Sequence, residues 1–104
     1  GKKIQVNVTF TIVGGPGIPT LMILDSSGVE VASVDGEAAN GTVTMPVVIP
    51  EVRLWTPDEP FLYVAHVLLR EPTNRAVADS VQTRFGVRTI STEGYKFMLN
   101  GRRL

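Results

Sequence analysis

Apolar and polar residues alternate without a break from position 4 to position 13. Ile4, Val6, Val8, Phe10 and Ile12 share one parity, and Gln5, Asn7, Thr9 and Thr11 share the other. A repeat of two places successive side chains on opposite faces of an extended chain. The stretch is therefore read as a strand with one buried and one wetted face, as antiparallel sheets use. Residues 14–19, Gly-Gly-Pro-Gly-Ile-Pro, predict a loop on composition. A second strand is expected over 20–25 and a third over 29–34. The turn Asp25-Ser26-Ser27-Gly28 joins them as a hairpin, with Gly28 free to take a positive φ. After a polar loop over 35–41, a fourth strand is expected over 42–49. Pro46 has no N–H to give a ladder, so that strand belongs at an edge or is broken there.

The second half of the chain starts from a corner. Residues 52–63 carry the single Trp, Trp55, and two prolines, Pro57 and Pro60, that bracket Asp58 and Glu59. Pro57 fixes φ for a turn and Pro60 drives Glu59 away from helical angles, which excludes a helix. Residues 61–69 follow, apolar on both parities apart from His66, as expected of a central strand covered on both faces. Tyr63 stands at its start, where a tyrosine hydroxyl reaches back to the backbone in immunoglobulin-like sandwiches. A turn at 71–74 leads to a strand over 76–85. Gly86 marks a bulge or a close approach, and 87–90 continues extended. Ser91-Thr92-Glu93-Gly94 turns, and 95–99 is a short strand with Tyr95, Phe97 and Leu99 on one side. Asn100-Gly101 is a strong hairpin signal with only three residues after it, so the pattern reads as an unfinished hairpin. No helical period is present. Strands with turns every 8–12 residues or so predict an all-β chain, an immunoglobulin-like antiparallel β-sandwich of about seven strands.

Composition narrows the function. A chain of 104 residues, 43% apolar, suits one domain with a modest core. There is no Cys, hence no disulfide and no thiol chemistry, a composition compatible with cytoplasm, periplasm or secretion. No apolar run approaches the roughly 20 residues of a helical membrane span, so no membrane partner is expected. Zero net charge argues against nucleic-acid binding. The charge is uneven: Arg84, Arg88, Lys96, Arg102 and Arg103 face only Glu93 after position 83, leaving the earlier part acidic. That basic end is either a solvated edge or a surface for an acidic partner.

Catalytic chemistry is sparse. His66 is the only His and lies mid-strand; with no Cys beside it there is no zinc set, and no metal or cofactor is expected. Gly14-Gly15-Pro16-Gly17 lacks the Lys-Ser/Thr and the helix of a phosphate loop. Ser26 and Ser27 sit in a turn with no base nearby. Glycosidic acid–base work needs two carboxyls about 5–5.5 Å apart, or wider for inversion. Asp58 and Glu59 are neighbours on a solvated turn and do not suit it. Trp55 is expected to cover the end of the core; its alternative is a stacking platform for a sugar.

Two motifs together carry a resemblance. Leu54-Trp55-Thr56-Pro57-Asp58-Glu59-Pro60-Phe61-Leu62-Tyr63 resembles the "LWsPdxPxLY" signature of the immunoglobulin-like domain in glycoside hydrolase family 2, the β-galactosidases, β-glucuronidases and β-mannosidases. Arg84-Phe85-Gly86-Val87-Arg88-Thr89-Ile90, with Lys96-Phe97-Met98-Leu99-Asn100-Gly101-Arg102-Arg103-Leu104, is similar to that domain's "RFGfRtie…kFxLNGkpl" exit. Residues 1–50 match only in strand pattern. The resemblance implies a multidomain glycosidase of carbohydrate metabolism: a sugar-binding jelly roll, this sandwich over 1–94, then an exit segment over 95–104 into a (β/α)8 barrel. The barrel would hold two catalytic glutamates, neither of them on this chain. By the same resemblance no catalytic residue lies here. Trp55, Pro57, Pro60, Leu62 and Tyr63 are scaffold positions, while Arg84, Phe85, Gly86, Arg88, Asn100 and Gly101 shape the exit. The expected partners are the other domains of the chain, with subunit contacts in the full-length enzyme also compatible. A free-standing carbohydrate-binding or adhesion module is the alternative reading.

Overall fold

The computed structural model describes residues 2–88 and the backbone of residues 95–102. Among these the chain is all-β, with six strands and no helix. They are β1 (Lys2–Leu24), β2 (Glu30–Asp35), β3 (Ala39–Val52), β4 (Tyr63–Arg70), β5 (Val77–Phe85) and β6 (Tyr95–Arg102). The alternation of 4–12 is realised as read: Ile4, Val6, Val8, Phe10 and Ile12 are buried, and the residues between them face outward.

The first difference lies at residues 14–19. They are not a loop; the strand runs through them, and the two strands expected on either side are one, β1. Gly14 (φ 83°) and Gly15 (φ 112°) adopt backbone angles that L side chains avoid. They bend the strand without ending it, and its register with β3 shifts between Ile12 and Gly17. This merger accounts for six strands where about seven were expected.

The bend lets one strand serve both layers. The first half of β1 pairs antiparallel with β3 and parallel with β6, forming sheet A. The second half pairs antiparallel with β2 and β4, and β4 with β5, giving sheet B in the order β2-β1-β4-β5. The inner faces meet in one cluster: Val8, Phe10 and Met45 from sheet A, and Leu21, Ile23, Val67 and Leu69 from sheet B. Each such side chain contributes roughly 1.5–3 kcal/mol by leaving water.

Pro46 lies in β3 opposite Asn7, and among the described residues β3 pairs with β1 alone, so it is the edge strand its proline demands. The 25–28 turn is closed by the Gly28 N–H on the Asp25 carbonyl at 3.0 Å. Asp25 Oδ1 accepts the N–H groups of Ser27 and Val29 at 2.8 and 3.0 Å. Gly28 has the positive φ, 83°.

After Phe85, residues 86–88 lie outside the ladder, and the Val87 carbonyl accepts the Trp55 N–H at 2.6 Å. One further expectation differs. Asn100-Gly101 is not a turn: Asn100 pairs with Thr11 and Gly101 with Ile12 inside β6. A continuous parallel ladder along β1 outweighs the local turn preference of the dipeptide. The expected turn at 91–94, positions 89–90, residues 103–104, and the sidedness of Tyr95, Phe97 and Leu99 lie outside the described residues.

Candidate functional site

The first motif and residues 85–88 of the second lie some thirty positions apart, yet they form one cluster at one end of the sandwich. The corner over 53–62 builds itself first. Thr56 N–H donates to the Glu59 carbonyl at 3.1 Å and Glu59 N–H to Thr56 Oγ1 at 3.0 Å. Phe61 N–H then donates to the Glu59 carbonyl at 2.8 Å around Pro60, a three-residue turn that the fixed φ of proline suits. That bond consumes the N–H that would have entered the ladder, so β4 starts at Tyr63 and not at Phe61. Pro57 and Pro60 both lie exposed on this corner.

Tyr63 fastens the corner to the core. Its ring is buried, stacked on Phe85 with centroids 5.7 Å apart and edge-on to Phe61 at 4.9 Å. Its hydroxyl accepts the backbone N–H of Arg53 at 2.8 Å. Phe85 is directly opposite Tyr63 in the β4–β5 ladder, so this contact is set by register.

Trp55 fastens the corner to 86–88. Besides its N–H bond to Val87, its side chain lies so close to Gly86 that a Cβ there would sit 2.8 Å from Trp55 Cδ1 and 3.0 Å from Trp55 Cβ. The close approach expected at Gly86 is thus to Trp55. The Arg88 guanidinium lies 4.5 Å from the Trp55 ring centroid. With one edge against Gly86 and the ring under Arg88, Trp55 is not a free platform for a sugar.

Arg53 was not singled out by the sequence. It joins three parts of the corner: its N–H to Tyr63, its guanidinium 4.7 Å from the Phe61 ring, and an ion pair to Glu59 at 3.2 Å. No spacing rule marks it, because the tyrosine needs a backbone N–H and is indifferent to which residue supplies it.

Beside the corner lies an open cleft of ≈ 420 Å³, lined by the 25–28 turn, Pro60, Leu62, Leu24, Val64 and Arg84. Among the described residues Asp25 is its one carboxylate, and two backbone N–H groups already hold it. Asp58 and Glu59 are exposed outside this lining, Glu59 turned to Arg53. His66 is half-buried on the outward side of β4, between Met22 and Gln82 of the neighbouring strands. Among the described residues no group of His, Cys, Asp and Glu has the arrangement of a metal site. Asn100 and Gly101 lie away from the corner, paired in β6.

The model of glycosyl hydrolases family 2 matches residues 17–88, most of the chain and all of this corner. The chain belongs to glycosyl hydrolases family 2. A curated relative, the β-glucuronidase of Paenibacillus borealis, is 36% identical over 81 residues, which is 78% of this chain and 12% of the relative. The chain therefore spans about an eighth of that family member's length. Among solved structures, the FMN-binding β-glucuronidase of Facaelibacterium prausnitzii L2-6 superposes with a TM-score of 0.60 at 23% identity, over 82% of this chain and 15% of that one. An alternative pilotin of the type II secretion system of Vibrio cholerae superposes with a TM-score of 0.68 at 10% identity, covering 99% and 98%. At those identities both show a shared fold alone, so the family assignment rests on sequence.

Proposed function

We propose that this chain is a non-catalytic β-sandwich domain of a larger family 2 glycosidase. In this reading it holds a sugar-binding jelly roll and a catalytic barrel in register, and the whole enzyme hydrolyses O-glycosyl bonds. The β-glucuronidase relative favours a glucuronide as substrate over the galactoside that the family equally allows.

The observation that carries this reading is the state of the carboxylates. Hydrolysis of a glycosidic bond needs two carboxyls facing one bond across a pocket. Among the described residues the cleft beside the corner has one, committed to its own turn. The motif residues are spent on each other: Tyr63 on Arg53 and Phe85, Trp55 on Val87 and Gly86. A cluster so satisfied serves as a rigid joint between segments.

The test is an assay of the chain alone on p-nitrophenyl β-glucuronide and β-galactoside. The expected result is no release of nitrophenol above buffer. Turnover that disappears on Asp58→Ala or Glu59→Ala would overturn the reading.

A further inference from the structure

We propose that the outer face of sheet B is a contact surface for a second copy of this chain. The two outer faces of the sandwich differ in chemistry. On sheet A the described outward side chains include threonines and amides bonded to one another, Thr9 to Thr44 at 2.9 Å, Thr11 to Thr42 at 3.4 Å and Gln5 to Asn7 at 2.9 Å, with Pro46 and Val48 exposed beside them on the edge strand β3. On sheet B the central strands β1 and β4 present Met22, Leu24, Val64 and Leu68 outward around His66, all half-buried, and no described element covers them. This is the second parity of β4, Val64, His66, Leu68 and Arg70, which no described element covers. At one end the column runs into the cleft floored by Pro60 and Leu62.

The rim gives the occupant. Register places Glu30, Leu24, Val64 and Arg84 in one row across β2, β1, β4 and β5. The exposed acid is at one edge of the sheet and the exposed base at the other. Three strand spacings of about 4.8 Å separate them by roughly 14 Å. A second copy laid face to face about a two-fold axis parallel to the strands exchanges the two edges. Glu30 of each copy then stands over Arg84 of the other, and the apolar columns meet at the axis. The usual angle of about −30° between packed sheets displaces groups this far off the axis by roughly 4 Å, within reach of an arginine side chain. An isologous contact needs this kind of self-complementary patch. In the other rows Asp35, already accepting a hydrogen bond from Thr20 at 2.9 Å, meets Ser80, and Arg70 stands over Ile18 of the other copy.

The face is small. Four strands by seven residues cover roughly 440 Å² per copy, below the size of stable complexes, so the pairing is weak and concentration-dependent.

Sedimentation velocity of this 104-residue chain between about 5 and 500 µM tests it, over the range where interfaces of this size associate. The expected result is a monomer–dimer equilibrium. Glu30→Arg and Arg84→Glu alone should each weaken it by about tenfold, since each puts two like-charged pairs at the rim. The double variant should return to within about threefold of the parent. In 1 M salt, where the Debye length is about 3 Å, the variants should converge. Both positions are exposed, and circular dichroism confirms that the variants fold. A chain that stays monomeric throughout overturns the proposal and leaves the face to another stretch of polypeptide. So does a dimer indifferent to the single reversals, or a double variant as weak as the sum of the singles.

Discussion

The hydroxyl of Tyr63 receives the backbone N–H of Arg53 at 2.8 Å, across ten residues of chain. It closes the corner over 53–62 onto the core, because the same ring is buried against Phe85. Tyr63→Phe keeps the packing and removes only the acceptor. The Arg53 N–H is then partly buried without its partner, which costs about 1–2 kcal/mol. For a domain near this size that lowers Tm by roughly 4–8 °C per kcal/mol. Urea unfolding should show a lower midpoint with an unchanged slope. An unchanged midpoint would mean that the hydroxyl is not what holds the corner.

Gly86 has no room for a side chain while Trp55 stays where it is. Its φ is not in the left-handed region, so Gly86→Ala alone would gain about 0.4–1 kcal/mol from a stiffer unfolded chain. The new Cβ would meet Trp55 at 2.8 Å, and one of those contacts is the Trp55 Cβ, which cannot swing away. Overpacking of this kind costs typically 1–3 kcal/mol and should win. The net expectation is destabilisation by about 1–2 kcal/mol, with a shift in the fluorescence of the single Trp. In a Trp55→Ala background, which removes Cγ and Cδ1 but keeps the Cβ at 3.0 Å, the same substitution should cost clearly less, and a double-mutant cycle reads the difference as coupling. Equal costs in both backgrounds would show that the close approach is relieved elsewhere.

How far the sequence carries this fold can be read from particular residues. The strands with clean alternation, 4–12 and 42–49, were legible because one face is buried and one is wet. The edge position of β3 was legible from Pro46, and the 25–28 turn from Asp25 and Gly28. Residues 14–19 misled, because glycine with positive φ serves a bend inside a strand as well as a loop, and composition does not separate the two. Asn100-Gly101 misled for a related reason: its parallel partner β1 is ninety residues away in sequence. At the corner, Trp55, Tyr63 and Gly86 stood out by residue type and motif. Their convergence needed the register that puts Tyr63 opposite Phe85, and Arg53 acts through a backbone atom that no side-chain pattern reports.

The bend in β1 is testable at Gly15. Its φ of 112° lies beyond the left-handed helical region that Asn or Asp tolerate. Gly15→Ala should cost about 1–3 kcal/mol of strain, and Gly15→Val more, because a β-branched side chain narrows the choice further. The two halves of β1 serve different sheets, so the loss should be global and cooperative, seen as one shifted thermal transition. A Gly15→Ala variant as stable as the parent would mean that the chain passes from sheet A to sheet B by another path.

The ion pair between Arg53 and Glu59 looks like the natural clasp of the corner, and magnitudes argue otherwise. The two side chains are 59% and 71% exposed, so water and salt screen them. Exposed pairs of this kind contribute about 0.2–1 kcal/mol at most. The turn is made by backbone groups of Glu59 and by Thr56 Oγ1, none of which depends on the Glu59 carboxylate. Glu59→Gln should therefore shift stability by less than about 0.5 kcal/mol, far below Tyr63→Phe in the same urea titration. Thr56→Val should cost more than Glu59→Gln, because it removes the acceptor of the Glu59 N–H and leaves the charges untouched. The reverse order would assign the corner to electrostatics. It would also predict that the corner loosens in high salt, where the order proposed here predicts no change.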